Sequence, residues 1–117
     1  MKIAIPTFRS RLSPVFDWCE RLLIIEKMQN DEMRMEVSLA NLTLMERVNI
    51  LLELNIEILI CGVVSESLLP VLESKNIHVI PGIAGTIDEI IEAFFMDTLK
   101  QKKFTMPGCQ GLRREQP

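Results

Sequence analysis

The stretch that decides the fold is Ile56-Glu57-Ile58-Leu59-Ile60-Cys61-Gly62, a short apolar run rich in β-branched residues that ends on glycine. Segments with helical spacing of apolar residues precede it (44–54) and follow it (68–72). An apolar run of this length between two helices is typical of a strand that is covered on both faces. We therefore predict that residues 56–62 form the central strand of a mixed sheet.

The composition limits the possible functions. The chain has 117 residues, 48% of them apolar, which suits one domain with one core. Its net charge of -3 does not favour a nucleic-acid binder, which is usually basic. No apolar run approaches the roughly 18–20 residues that span a bilayer, and the apolar start of the chain is too short for a signal peptide. We expect a cytoplasmic protein that binds neither nucleic acid nor membrane.

Four further strands are predicted around the central one. The first is Lys2–Ile5, and we expect it to stop at Pro6 because proline has no N–H to donate. Residues 21–26 and 33–38 form an antiparallel hairpin, and the second of these strands alternates apolar and charged residues. That alternation predicts a half-exposed strand at the sheet edge, with charged side chains that discourage pairing with other chains. The last strand is 77–80.

Two capping boxes mark helix starts. Thr43 with Glu46, and Thr86 with Glu89, fit the pattern in which the hydroxyl and the carboxylate each bind a backbone N–H of the first turn. A shorter helix is predicted over 66–74. The resulting order of strands and helices along the chain predicts a ribonuclease-H-like α/β three-layer sandwich, with a five-stranded mixed sheet, one antiparallel strand and about three helices. Residues 1–99 would form the single domain and residues 100–117 a basic, flexible tail.

Ligands of open α/β sheets bind at the carboxyl ends of the parallel strands. Here these ends lead into loops that contain Cys61-Gly62 and Pro81-Gly82 through Gly85-Thr86. Free backbone N–H groups and a helix N-terminus suit an anion. The alternative is that such loops need glycine and a cap for geometry alone. Neither GxGxxG nor GxxxxGK[ST] is present, so no nucleotide is predicted.

The polar residues favour a protein that is not an enzyme. His78 is the only histidine, which excludes a metal site with two histidine ligands within one chain. The first strand carries no acid for a two-metal nuclease centre. Cys19 and Cys61 fit a packing role, whereas Cys109 lies among basic residues that favour a thiolate and is a candidate soft-metal ligand.

Three segments together resemble one family. They are Met1–Pro6 with Leu12-Ser13-Pro14-Val15-Phe16, then Ile60-Cys61-Gly62, and finally Gly85–Glu89 with Met106-Pro107-Gly108-Cys109. In this order the chain resembles the dinitrogenase iron–molybdenum cofactor biosynthesis family, which includes NifX-like and NafY-like proteins and the C-terminal domain of NifB. The resemblance implies a ribonuclease-H-like fold without nuclease acids.

The resemblance also implies a carrier of an anionic metal–sulfur cluster, such as the iron–molybdenum cofactor, a precursor or a related molybdenum cluster. Cluster-assembly proteins would then be its partners. The implied cofactor-binding residues are Arg9, Arg11, Ser13, Cys61, Gly62, Gly82, Gly85 and Thr86, and the implied metal ligand is Cys109. The alternative is a protein–protein adaptor of the same fold that has lost cluster binding, which the scarcity of histidine favours. A small hydrolase is a third option, although no catalytic constellation supports it.

Overall fold

A computed structural model describes residues 1–99 and 104–106 of the chain. Its strands are β1 (Lys2–Phe8), β2 (Arg11–Leu12), β3 (Arg21–Lys27), β4 (Glu32–Ser38), β5 (Ile58–Ile60) and β6 (His78–Ile80). Its helices are α1 (Leu44–Glu53), α2 (Leu68–Ser74) and α3 (Ile87–Phe95), with a 3-10 turn at Phe16–Trp18. The six strands form one mixed sheet in the order β4-β3-β1-β5-β6, and β2 pairs with β1.

The predicted α/β class and mixed sheet are confirmed. β1, β5 and β6 run parallel to one another, and β3 is antiparallel to both of its neighbours. The sheet has six strands instead of the predicted five, because the short β2 pairs with the end of β1.

The position predicted for the central strand is wrong. β5 covers only Ile58–Ile60, and the middle of the sheet is β1, which pairs with β3 on one side and β5 on the other. The prediction that β1 stops at Pro6 is also wrong, because β1 continues to Phe8. Lys27 N donates to the Met1 carbonyl, so residues 1 and 27 form a hydrogen-bonded pair of the antiparallel ladder. Because bonded and non-bonded pairs alternate along the ladder, the nitrogen of Pro6 points away from β3. Pro6 therefore costs that ladder no hydrogen bond, and β1 can remain central.

The helices cover the two faces of the sheet unequally. α1 and α2 pack on one face, where Val48, Leu51 and Leu72 join Leu59 in one buried cluster. Of the helices that the structure describes, only α3 packs on the other face, together with Leu99 and Phe104. The second cluster contains Ile87, Ile90 and Ile91 of α3, with Ile3, Ile5, Ile25 and Ile60 of the strands. The three layers of the predicted sandwich are therefore present.

One of the two predicted capping boxes forms. The Thr43 hydroxyl accepts from Glu46 N at 3.2 Å, and Thr43 N donates to the Glu46 carboxylate at 2.8 Å. At α3 the Thr86 hydroxyl instead donates to the Glu89 carboxylate at 2.7 Å and caps no backbone N–H. The prediction of a second capping box is therefore wrong.

β4 lies at the sheet edge as predicted, but it is more exposed than a half-buried strand. Met33 and Met35 are 60% and 48% exposed, although they point to the same face as buried Leu22 and Ile24 of β3. The predicted alternation is correct, since Met33, Met35 and Val37 share one face of the strand. The described helices leave Met33 and Met35 on that face uncovered.

Packing continues past the predicted domain boundary at residue 99. Phe104 is buried, and Thr105 forms a bridge with Ile83. The other residues of the predicted flexible tail, Cys109 included, lie outside the described residues.

Candidate functional site: a basic rim at the ends of β1 and β5

A tight turn at the end of β1 presents two arginines. Phe8 pairs with Arg11, so Arg9 and Ser10 alone form the connection to β2. Both have positive φ, 51° and 68°, as the favoured two-residue hairpin turns require. Residues other than glycine and asparagine seldom adopt this conformation, so the surrounding contacts must hold the turn in place.

Two hydrogen bonds hold that turn against the start of α3. Ile87 N donates to the Ser10 carbonyl at 2.9 Å, and Leu12 N donates to the Gly85 carbonyl at 3.0 Å. Arg11 and Thr86 thereby lie opposite each other in an antiparallel bridge. We call Arg9, Arg11, Gly85 and Thr86 the basic rim. Sequence reasoning predicted all four as binding residues, and the structure places them at one end of the sheet.

A cavity of about 420 Å³ opens beside the basic rim, between α3 and the outer strands β3 and β4. It exists because α3 alone covers this face of the sheet. Its lining is mostly polar and consists of Thr7, Arg9, Ser10, Arg21, Leu23, Arg34, Glu36, Ile87 and Asp88.

The arginines of the site differ in how they are neutralised. Arg21 pairs with Glu36 at 3.2 Å. Arg34 pairs with Glu32 at 2.6 Å and Asp88 at 3.1 Å, and these contacts, chiefly the hydrogen bond to Glu32, raise the pKa of Arg34.

Arg9 and Arg11 form no ion pair with any residue of 1–99 or 104–106. The Arg9 guanidinium carbon lies 5.0 Å from the centre of the Phe8 ring, a contact that leaves its charge available. The basic rim therefore carries two positive charges at the surface that no described residue pairs with.

The other predicted residues of the sheet end are enclosed. Residues 11–16, which we call the rim strap, cross the ends of β1 and β5. Ser13 N donates to Pro6 O, and Val63 N donates to Pro14 O at 2.7 Å. A side chain at Gly62 would overlap the Pro14 carbonyl oxygen and lie 2.8 Å from Met106 Sδ.

Gly82 N likewise donates inward, to the Gly62 carbonyl at 2.8 Å. Ser13, Cys61, Gly62 and Gly82 are all buried, so a ligand could reach them only if the rim strap moved. In the conformation described here, a ligand can therefore reach the basic rim but not these four residues.

The described thiols are poor candidates for metal ligands. Burial raises the pKa of Cys61 to about 12 and that of Cys19 to about 11. The nearby Arg47 guanidinium partly offsets the shift at Cys19. Both thiols therefore stay protonated near neutral pH, whereas metals bind the thiolate. Cys109, the predicted metal ligand, lies outside the described residues.

Sequence reasoning missed Arg21 and Arg34 as cavity residues. They come together only through the pairing of β3 and β4, which the sequence pattern alone does not align.

Sequence reasoning also missed Arg47, which is buried on α1 and donates to the Cys19 carbonyl and, at 3.6 Å, to its sulfur. The signal for Arg47 was present, because residue 47 is four positions before Leu51, on the helix face that packs.

The described residues contain no group of three or more histidine, cysteine or acidic side chains that could hold a metal ion. Of the helices within 1–99, none has the length and apolarity needed to cross a membrane.

The fold and the basic rim define a small α/β domain with a mixed sheet and an exposed pair of arginines at one sheet end. The chain belongs to the family described as dinitrogenase iron-molybdenum cofactor, whose family model matches residues 1–97. None of the curated proteins matches the chain significantly.

Solved structures share the fold. A "putative dinitrogenase" from Methanocaldococcus jannaschii is 22% identical, with a TM-score of 0.71, over 85% of this chain and 91% of that one. A "putative NifB protein" from Thermotoga is 24% identical, with a TM-score of 0.65, over 83% and 89%. The apo form of the orange protein from Desulfovibrio gigas is 14% identical, with a TM-score of 0.70, over 89% and 94%. At these identities the likeness concerns the fold alone.

Proposed function

We propose that the protein is a non-enzymatic carrier that binds an anionic metal–sulfur cluster at the basic rim. The cargo would be the iron–molybdenum cofactor, a precursor or a related molybdenum cluster, as the family suggests. The proposal rests most on one observation. Two unpaired arginines, Arg9 and Arg11, stand beside a helix start whose N-cap side chain binds no backbone N–H.

The helix start supplies neutral donors for such a cargo. The first N–H groups of a helix have no partner within it, and they carry the positive end of the helix dipole. At α3 the Ile87 N–H already donates to the Ser10 carbonyl, whereas the Thr86 hydroxyl is engaged with Glu89 and leaves the N–H groups of Asp88 and Glu89 uncapped. An anionic cluster at the rim could therefore accept hydrogen bonds from the backbone while it faces Arg9 and Arg11.

The acids near this helix start oppose that attraction. Asp88 shares Arg34 with Glu32, and the Glu89 carboxylate keeps its negative charge while it accepts from the Thr86 hydroxyl. Arg9 and Arg11, which have no ion pair among the described residues, would therefore supply the attraction.

The mode of binding would be mainly electrostatic. Cys19 and Cys61 are buried and protonated, so neither offers a thiolate to a cluster. The one sulfur ligand that we propose is Cys109. A cargo held by charge and hydrogen bonds with at most one sulfur ligand can be transferred to another protein without breaking many metal–sulfur bonds, which suits a carrier. Cluster-assembly proteins would be its partners.

The proposal is tested by mixing the purified protein, under anaerobic conditions, with tetrathiomolybdate or a soluble iron–sulfur cluster. Gel filtration then separates bound from free chromophore, and the visible spectrum of the protein peak is recorded. We expect colour to stay with the protein and to decrease as salt is added, because surface charges are screened at high ionic strength.

Loss of all colour on the column, together with specific capture of a cluster-assembly protein, would favour the adaptor function instead. The variant Cys109→Ser separates sulfur ligation from charge. If Cys109 is a ligand, this variant should shift the visible bands of the bound cluster, whereas a purely electrostatic site should leave them unchanged.

A further inference from the structure

β4 presents an open edge whose backbone groups are ready to pair. In the hairpin of β3 and β4, Met28 N donates to Asp31 O and Leu39 N donates to Glu20 O. Antiparallel ladders alternate between bonded and non-bonded pairs, so Met35, which lies opposite Ile24, directs its N–H and C=O toward β3. By the same alternation, the N–H and C=O groups of Glu32, Arg34, Glu36 and Ser38 point outward.

Of the usual protections of an edge strand, β4 has only its charged side chains. Within residues 1–99 and 104–106, β4 pairs with β3 alone. It is seven residues long and contains neither proline nor glycine, and its exposed Met33 and Met35 form an apolar row on the α1 side. Natural edge strands are typically short, bulged or blocked by charge. Here the charges of β4 allow one particular partner.

We propose that β4 pairs antiparallel with β4 of a second copy of this chain, with Met35 on the two-fold axis. In this register Arg34 lies opposite Glu36 of the second copy, and Glu32 lies opposite Ser38. The backbone groups of all four residues point outward, so the two strands can form hydrogen bonds along the whole length of β4. Opposite charges face each other across the new ladder, and these contacts would add to the ion pairs that Arg34 and Glu36 already make within each copy.

Neighbouring registers that also match the outward groups are worse. Shifting the axis to Arg34 sets that arginine against its own copy and Glu32 against Glu36. Shifting it to Glu36 sets two glutamates face to face. Like charges directly opposite each other destabilise a ladder. An axis at Met33 keeps Arg34 opposite Glu32, but it pairs only the first part of the strand.

The register centred on Met35 also covers the apolar row. Met35 meets Met35 of the second copy, and Met33 meets Val37, so the methionine side chains left exposed on each sheet would be buried against one another. Because Arg34 and Glu36 line the cavity on the opposite face, the cavities of the two copies would lie side by side across the axis.

Cysteine cross-linking tests the register directly. In a Cys109→Ser background the two described cysteines are buried, so an introduced thiol is the reactive one. A non-bonded antiparallel pair places its Cα atoms about 4.5 Å apart, within the range that a disulfide spans. Met35→Cys should therefore give a covalent dimer on oxidation with oxidised glutathione, seen on a non-reducing gel. Met33→Cys and the distant Met96→Cys should form no covalent dimer and run as monomers on the same gel.

Charge reversal tests the same pairing in solution by sedimentation equilibrium. The unmodified protein should show a concentration-dependent dimer, which Arg34→Glu or Glu36→Arg alone should weaken at least tenfold. The double variant Arg34→Glu/Glu36→Arg restores opposite charges across the axis and should recover much of the dimer, although it also reverses the ion pairs of residues 34 and 36 within each copy.

A monomer at every concentration, cross-linking through Met33→Cys instead of Met35→Cys, or failure of a folded double variant to dimerise would each overturn the proposal. Circular dichroism establishes that each variant is folded. Should the charge variants unfold, the cysteine pair still decides the question.

Discussion

The close approach between Gly62 and the rim strap can be tested with Gly62→Ala. The added Cβ would lie 3.1 Å from the Pro14 carbonyl carbon and closer still to its oxygen, whereas carbon atoms normally approach to about 3.5–4.0 Å. The Pro14 carbonyl would have to move, and it currently accepts from Val63 N at 2.7 Å.

The two costs can be added. Overpacking of this kind costs about 1–3 kcal/mol, and a weakened hydrogen bond adds about 0.5–1.5 kcal/mol. We therefore expect Gly62→Ala to lower the free energy of unfolding by about 3 kcal/mol. That is a large part of the roughly 5–15 kcal/mol typical of a domain, and it corresponds to a fall in melting temperature of roughly 10 °C.

Urea denaturation followed by circular dichroism measures this change, with an unchanged m-value as the sign that only stability has changed. The double variant Gly62→Ala/Met106→Ala is the control. It removes the sulfur atom 2.8 Å from the new Cβ but leaves the Pro14 backbone in place, so it should recover only a minor part of the loss. A cost below about 1 kcal/mol for Gly62→Ala would refute the packing described here, since overpacking normally costs more.

The remaining predictions concern helix capping and the buried thiols. Thr43→Ala should cost about 1 kcal/mol by urea denaturation because it removes a cap, while Thr86→Ala, whose hydroxyl caps no backbone group, should cost less than half as much. Equal costs would contradict this difference. At pH 8, folded Cys109→Ser should react with Ellman's reagent only as fast as it unfolds, because burial raises the pKa of Cys19 to about 11 and that of Cys61 to about 12. Above about pH 9 the unfolded chain releases these thiol protons, whereas the folded chain keeps them. The free energy of unfolding should therefore fall as the pH rises from about 9 toward 11–12. The decrease is up to about 1.4 kcal/mol per pH unit for each thiol. Cys61→Ala should make this decline shallower, and an unchanged slope would count against the burial of its thiol.

Local patterns predicted much of the fold. The Thr43 capping box, the apolar stripe of α3 and the alternation of β4 are visible within a few residues, and the structure contains each element. The order of the strands was harder. Pro6 suggested that β1 was short. β1 can be central because the Pro6 nitrogen points away from β3, and that direction is known only from the pairing with β3.

The candidate site shows the same limit. Arg9 and Arg11 could be predicted because they sit in a loop at a strand end, and they are exposed there. The burial of Cys61 agrees with the packing role predicted for it, whereas that of Gly62 could not be predicted, because it depends on the rim strap and Met106, which are distant in the sequence. Arg21 and Arg34 enter the cavity only through strand register, which is a long-range property.

The proposed carrier function requires that Arg9 and Arg11 attract the anionic cargo. Titration with tetrathiomolybdate, with ultrafiltration to separate free from bound anion, measures it directly. The matched control is Lys75→Gln at the C-terminus of α2, which removes an exposed positive charge away from the rim.

Each lost charge-assisted hydrogen bond weakens binding about tenfold, so we predict roughly 100-fold weaker binding for Arg9→Gln/Arg11→Gln and near-normal binding for Lys75→Gln. Equal affinity in the double variant and the control, or no binding by the unmodified protein, would contradict the account.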